Sequence, residues 1–331
     1  MYKTLIICLL IVITFPLRAQ SPAAEKVVCK LMGSRFEITA IADNKTTAQQ
    51  AIQAGIDEIT RIEKLISEWD PASQTSEINR NAGIKPVKVD SELFDLIYRS
   101  LKISELTEGA FDISFASMDR IWNFDKKEHE LPDSNIVRTA SALINWKDIL
   151  IDPDKKMVFL AKPGMKIGFG AIGKGYAANR AKMNMGKISG VKGGVVNASG
   201  DLMAWGESNH ANGWSVKIAN PKDITKSLGW IRLNNLSIVT SGNYEKYFTS
   251  RGVRYAHIIN PKTGYPVTGI KSVTIVSPDA ELSDALATSV CVMGVEKGIN
   301  LINRLNSVEC LIIDSDDNLF TSDKLTLNYY K

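Results

Sequence analysis

The chain has 331 residues, of which 44% are hydrophobic and 23% charged, with a formal net charge of +4. That is enough chain for one large domain or two closely packed lobes around an ordinary core. The small, dispersed charge excludes the basic footprint of a nucleic-acid binder, and four cysteines are too few for a disulfide-stapled scaffold.

Residues 1–20 read as a secretory signal peptide: Lys3, an apolar run from Leu5 to Pro16, then Leu17-Arg18-Ala19-Gln20. The run is about a dozen residues, shorter than the ~20 that a spanning helix needs, so a cleaved signal is expected and an uncleaved anchor is the alternative. Cys8 lies inside the run rather than at its end, which argues against lipid attachment. Residues 21–331 are expected to form the mature domain, outside the cytoplasm, with Cys29, Cys291 and Cys310 left as an odd, sparse set.

Arg35 to Ala42 alternates as a strand. Thr46 to Ser67 carries one apolar stripe through Ala48, Ala51, Ile52, Ile56, Ile59, Ile62, Leu65 and Ile66, the spacing of an amphipathic helix. A second helix is expected from Asp90 or Ser91, burying Leu93, Leu96, Ile97 and Leu101 and stopping before Gly109. Strand-like runs follow at Met157 to Ala161, Gly194 to Ser199, Trp214 to Ala219, Trp230 to Thr240, Lys271 to Ser277 and Val308 to Asp314. Helices interrupt them irregularly, which predicts an α+β fold with mainly antiparallel sheets rather than a doubly wound parallel one.

Several segments could carry chemistry. Gly168-Phe169-Gly170-Ala171-Ile172-Gly173-Lys174-Gly175-Tyr176-Ala177 should join a strand to a helix. Its amides and Lys174 suit phosphate and a free carbonyl could face a cation; the alternative is a plain turn with a solvated lysine. No G-x-G-x-x-G with a following acid stands there, which disfavours a dinucleotide-binding Rossmann unit. Ser283-Asp284-Ala285-Leu286-Ala287-Thr288 should open a helix, with Asp284 and Thr288 converging at i, i+4 as oxygen ligands, or with Ser283 and Asp284 acting only as caps. His257 precedes the turn Asn260-Pro261-Lys262-Thr263-Gly264 and could take a proton or contact phosphate, or could simply be a structural histidine. Asn197 to Asp201 and Thr240 to Tyr244 could line a cleft or end strands. His129 and His210 read as surface residues. So few histidines make a Cys/His zinc centre improbable, and no G-x-S-x-G elbow is present.

In this order, Gly109-Ala110-Phe111-Asp112-Ile113, the loop ending in GAIGKGYA, Asn197 to Asp201, Thr240-Ser241-Gly242, His257 to Pro266 and Ser283 to Thr288 resemble the ApbE family of FAD:protein FMN transferases. The resemblance runs from Met32-Gly33 to beyond Gly294. It implies a two-lobed, T-fold-like architecture with FAD as substrate between the lobes, contacted near Met32, Trp69, Ala110, Phe111, Asp112, Gly168, Lys174 and Ile259. Trp69 and Phe111 would offer ring faces for stacking. It also implies a magnesium site from the Ala171 carbonyl, Asp284 and Thr288, with the Ala287 position adjacent. Two departures stand out: many relatives carry Asp where this chain has Gly168, and some carry an acid where it has Ala287. The implied chemistry is attack of a protein Thr or Ser hydroxyl on the FMN phosphorus with loss of AMP, using Lys174, Asp284 and His257. FAD hydrolysis and non-catalytic FAD storage are the alternatives. Acceptors would be exported, flavin-bearing subunits of redox complexes, in the periplasm, with membrane association through an uncleaved signal or the acceptor complex.

Overall fold

The computed structural model describes residues 22–328 except 119–120, 123, 125–130, 209–212, 221–222, 243–246 and 251–252. The expected signal peptide, His129, His210, Asn243 and Tyr244 lie outside the described residues. Strands β1 (Ala23–Leu31) and β2 (Ser34–Ala42) form a hairpin whose two-residue turn holds Met32 and Gly33 at φ of 49° and 68°. A left-handed pair there matches the twist of the flanking strands. Helix α1 (Lys45–Ile66) is capped by the Asn44 side chain on the Thr47 amide and buries Ala48, Ala51, Ile52, Ile59 and Ile62. Short α2 (Gln74–Arg80) and β3 (Val87–Lys88) lead to α3 (Ser91–Leu106), which buries Leu93, Leu96 and Ile97 and leaves Leu101 half-buried. A 3₁₀ turn at Ile113–Met118, α4 (Ser134–Ser141), β4 (Ile149–Asp152), β5 (Met157–Leu160) and α5 (Gly173–Gly186) complete the first half.

Beyond them come β6 (Val191–Ala198), β7 (Asp201–Gly206), β8 (Trp214–Asn220), β9 (Asp223–Leu233), β10 (Leu236–Gly242), β11 (Tyr247–Ser250), β12 (Val253–Ala256) and β13 (Ile270–Ser277). Helices α6 (Ala280–Met293) and α7 (Val295–Ile302) and strands β14 (Glu309–Asp314) and β15 (Leu319–Thr321) finish the chain. An eight-stranded sheet in the order β1-β2-β6-β7-β10-β13-β14-β15 organises the molecule, and every described strand pairing is antiparallel. The fold is therefore α+β.

Alternation decides which face each residue serves. Met203, Val239, Ile275 and Ile312 point to the helical layer, while their neighbours Ala204, Ile238, Val276 and Leu311 point to the opposite face. The β8–β9 hairpin covers that opposite face with Ile218, Ile231 and Leu233. On the helical side, α1 and α5 pack over β2 and β6, and α6 over β10 and β13.

Two expected elements differ. The run from Trp230 to Thr240 is broken at Asn234 and Asn235, where Asn235 takes φ 55° and reverses the chain from β9 into β10. The strand expected to lead into the glycine loop does not form: residues 165–167 join no strand and are held largely by side chains. Asn79 holds both the amide and the carbonyl of Ile167, and the Ser117 hydroxyl does the same for Lys166.

Candidate active site

Close approach of two helix starts builds the site. At Gly175, a Cβ would stand 2.1 Å from the Ala280 carbonyl oxygen and 2.8 Å from the Asp284 Cβ, so only glycine lets α5 meet α6 here. At Gly173 a Cβ would fall 2.8 Å from Ile66 Cδ1 and 3.6 Å from Met32 Cε, so the Met32 side chain packs against the start of α5. Asn179 on α5 clamps the start of α6, donating to the Asp279 carboxylate (2.6 Å) and accepting from the Ala280 amide (3.0 Å). The cap of α6 is Asp279, whose side chain accepts from Leu282. Ser283 and Asp284 are thus not the caps. Ser283 joins a buried hydroxyl cluster with Ser237 and Ser277, each 2.8 Å away, that ties α6 to β10 and β13.

Released from capping, Asp284 turns to α5 and accepts the Gly175 amide at 3.0 Å, with only 4% of its surface exposed. Lys174, in the first turn of α5, donates to Asp201 at 2.5 Å. Asp201 arrives through the two-residue turn Ser199-Gly200, both at positive φ, which joins β6 to β7. Burial pushes the Asp284 carboxyl up to about 7, the charge of Asp201 adds to the rise, and Lys174 and the α5 amides oppose it. Asp201 is raised as well, by burial, against the pull of Lys174. Two buried carboxylates thus share one lysine, and full ionisation leaves an excess of negative charge that a cation would relieve.

This cluster opens into a cavity of about 550 Å³. Ala110, Phe111, Asp112, Ala171, Lys174, His257, Ile259, Asp284 and Thr288 all line it, so most of the residues singled out from sequence come together. Trp69 lines an adjoining cavity of about 640 Å³ whose wall also includes Phe115, Trp122 and Phe124; Phe115, His257 and Ile259 border both spaces. His257 stands before a tight reversal in which the Gly264 amide donates to the Asn260 carbonyl (2.8 Å) and Ile259 bridges Pro266. Trp122 Nε1 pins that reversal by donating to the Gly264 carbonyl at 2.8 Å.

Some expected roles shift. Ala287 is fully buried in the apolar cluster with Val239, Leu286 and Val290, and its methyl offers no ligand atom. Phe111 is 2% exposed and belongs to the main core, so it is a wall rather than an open stacking face, whereas Trp69 is 65% exposed. Asp112 accepts from the Ser114 amide and hydroxyl and from the Trp146 amide, at 2.8, 2.6 and 2.8 Å, and so braces two loops at the cavity rim. Gly168 lies behind the side chain of Glu68. Asp201 was read from sequence only as the end of a turn that could line a cleft, not as the partner of Lys174, although its parity with the inward-facing Met203 and Trp205 marks it as a carboxylate aimed at the core.

Among the described residues, no three His, Cys, Asp or Glu side chains gather into a self-sufficient metal cage. One or two carboxylates with a hydroxyl and a carbonyl do fit magnesium, which keeps several waters and takes its remaining ligands from substrate phosphates. A lysine, buried acids and a glycine-rich helix start, opening into aromatic-walled space, suit a phosphorylated, ring-bearing ligand. Residues 32–312 match the sequence profile of the ApbE family, and the chain belongs to that family. It is 29% identical over 301 residues to an FAD:protein FMN transferase of Klebsiella pneumoniae, covering 90% of this chain and 92% of the relative. A second relative with that name, from Treponema pallidum, is 30% identical over 284 residues, covering 80% and 78%. The crystal structure of an ApbE protein from Thermotoga maritima superposes with a TM-score of 0.84 at 28% identity, covering 93% of this chain and all of that one. Apo flavinyl transferase ApbE of Pseudomonas stutzeri shares the fold, with a TM-score of 0.80 at 21% identity over 91% and 95% of the two chains.

Proposed function

We propose that this chain is a magnesium-dependent FAD:protein FMN transferase that moves the FMN half of FAD onto a Thr or Ser hydroxyl of an acceptor protein and releases AMP. The observation that carries this reading is the meeting of Gly175 and Asp284, 109 residues apart in sequence, beside the Lys174–Asp201 pair at the mouth of joined cavities. The names of the relatives supply the substrate class.

Lys174 and the first amides of α5 draw the pyrophosphate to the helix start. Trp69 and Phe115 border space for a flat ring system. The Ala171 carbonyl, Asp284 carboxylate and Thr288 hydroxyl would hold magnesium, which when bound neutralises charge on the pyrophosphate oxygens. The acceptor oxygen forms a bond to the FMN phosphorus while the bond from that phosphorus to the bridging oxygen breaks, and AMP leaves with that oxygen. His257, bordering both cavities, takes the hydroxyl proton. Export to the periplasm, and acceptors among flavin-bearing redox subunits, follow from the leader read in residues 1–20 together with the family resemblance.

The test is mass spectrometry of a candidate acceptor incubated with the protein, FAD and magnesium, compared with Asp284→Ala and with EDTA. An FMN mass gained only with Asp284 and metal present is the expected result. Metal-dependent AMP and free FMN with an unmodified acceptor would replace transfer by FAD hydrolysis, and intact, retained FAD would replace it by storage.

A further inference from the structure

Gly168 is glycine for want of space rather than for conformation. Its φ lies outside the left-handed region, yet a Cβ there would stand 1.8 Å from Glu68 Oε2 and 3.1 Å from the Ala116 Cβ. The backbone has no freedom to retreat, because the Gly168 amide donates to the Ile113 carbonyl at 2.9 Å and Ile167 is clamped on both sides by Asn79. Glu68, just past the end of α1, is fixed in turn by its carbonyl accepting from the Ser76 hydroxyl (3.2 Å). Its side chain lines the aromatic-walled cavity beside Trp69, Phe115 and Trp122. The missing side chain at 168 leaves the space that Glu68 Oε2 fills, while the side chain as a whole borders the cavity.

We infer that Glu68 is a specificity-determining residue of this site, its carboxylate accepting a hydrogen bond from an N–H on the edge of the substrate's planar heterocycle, with Gly168 as the space that admits it. The inference rests on the FAD reading above. Both rings of that substrate carry such donors, the imide N–H of the flavin and the exocyclic amine of the adenine, and an ionised acceptor makes the stronger kind of bond to them.

The experiment measures FAD binding by flavin fluorescence for the full chain and for E68A, E68Q, G168A and the double variant E68A/G168D, with thermal midpoints recorded alongside. Loss of one charge-assisted bond weakens binding by about ten-fold in E68A. G168A, which evicts the carboxylate, should match it, and E68Q should fall between. E68A/G168D, which restores a carboxylate from the opposite wall, should recover to within about three-fold of wild type. Wild-type affinity in E68A overturns the inference, as does a double variant that melts like wild type and binds as weakly as E68A. FAD analogues methylated at the flavin imide nitrogen or lacking the adenine amine identify the ring: the analogue that binds wild type weakly and is indifferent to E68A has lost the partner of Glu68. If E68A discriminates equally among all analogues, the inference fails. A wild type that binds no FAD overturns the functional reading as well, whereas normal wild-type binding with unaltered variants overturns this inference alone.

Discussion

Under the proposed function, Asp284 should act in opposite directions on folding and on transfer. In the metal-free protein its carboxyl is raised from 3.8 to about 7, so the folded state binds the proton more tightly than the unfolded chain does. Stability contributed by the protonated form is complete below the unfolded value and is lost as pH rises toward 7. Asp284→Asn should therefore melt higher than wild type near pH 7 in EDTA and show a flatter melting profile between pH 4 and 7, measured by calorimetry. The same variant should lose at least ~100-fold in metal-dependent transfer, the scale expected when a group stabilising transition-state charge is removed. Adding magnesium should stabilise wild type and leave Asp284→Asn unmoved. Sequence spacing was enough to pair Asp284 with Thr288, since i, i+4 geometry is local. It gave no access to Asp201 as the neighbour of Lys174, because that contact spans 27 residues and depends on how the β6–β7 turn sets the strand's parity.

At the level of elements, the contact between α5 and α6 sets how far Lys174 stands from Asp284. Gly175→Ala would drive a methyl into the Ala280 carbonyl and the Asp284 Cβ. Overpacking of this kind should cost ~1–3 kcal/mol and, by parting the helix starts, lower transfer more than the drop in melting temperature alone explains. Gly186→Ala, at the far end of α5, meets nothing within 4 Å and should be neutral or stabilising by up to ~1 kcal/mol in the same melting assay. The periodic helices α1 and α3 were legible to within a residue or two because each buries one apolar stripe. Strand β1 was not, since no residue along it is fully buried and its alternation is shallow: Cys29 and Leu31 reach the main core only half-buried. The start of α6 was misplaced because Asp279, Ser283 and Asp284 are all competent caps. Packing against Asn179 and the serine cluster selects Asp279.

For the molecule as a whole, charged groups knit three helices behind the site. Arg61 on α1 donates to Glu58 (2.8 Å) and to Glu92 of α3 (2.7 Å), Arg180 of α5 reaches Glu58 (2.9 Å), and Tyr176 donates to Glu92 (2.5 Å). Hydrogen bonding to Arg61 holds both glutamates below their ordinary pKa despite opposing burial. A depressed carboxyl contributes stability above its unfolded value of 4.5 and loses it as pH falls through the folded one. Glu92→Gln should therefore lower stability at neutral pH by ~1 kcal/mol and shrink the loss on acidification below about 4.5, seen in urea melts across that range. Strand β1 carries a different consequence. Among the described residues it pairs only with β2 and forms one border of the main sheet, nine residues long, with Val28 half exposed. Such a border invites strands from other copies to add on, the beginning of aggregation. Glu25, Lys26 and Lys30 punctuate it with charge, and these residues act as gatekeepers of solubility rather than of the fold.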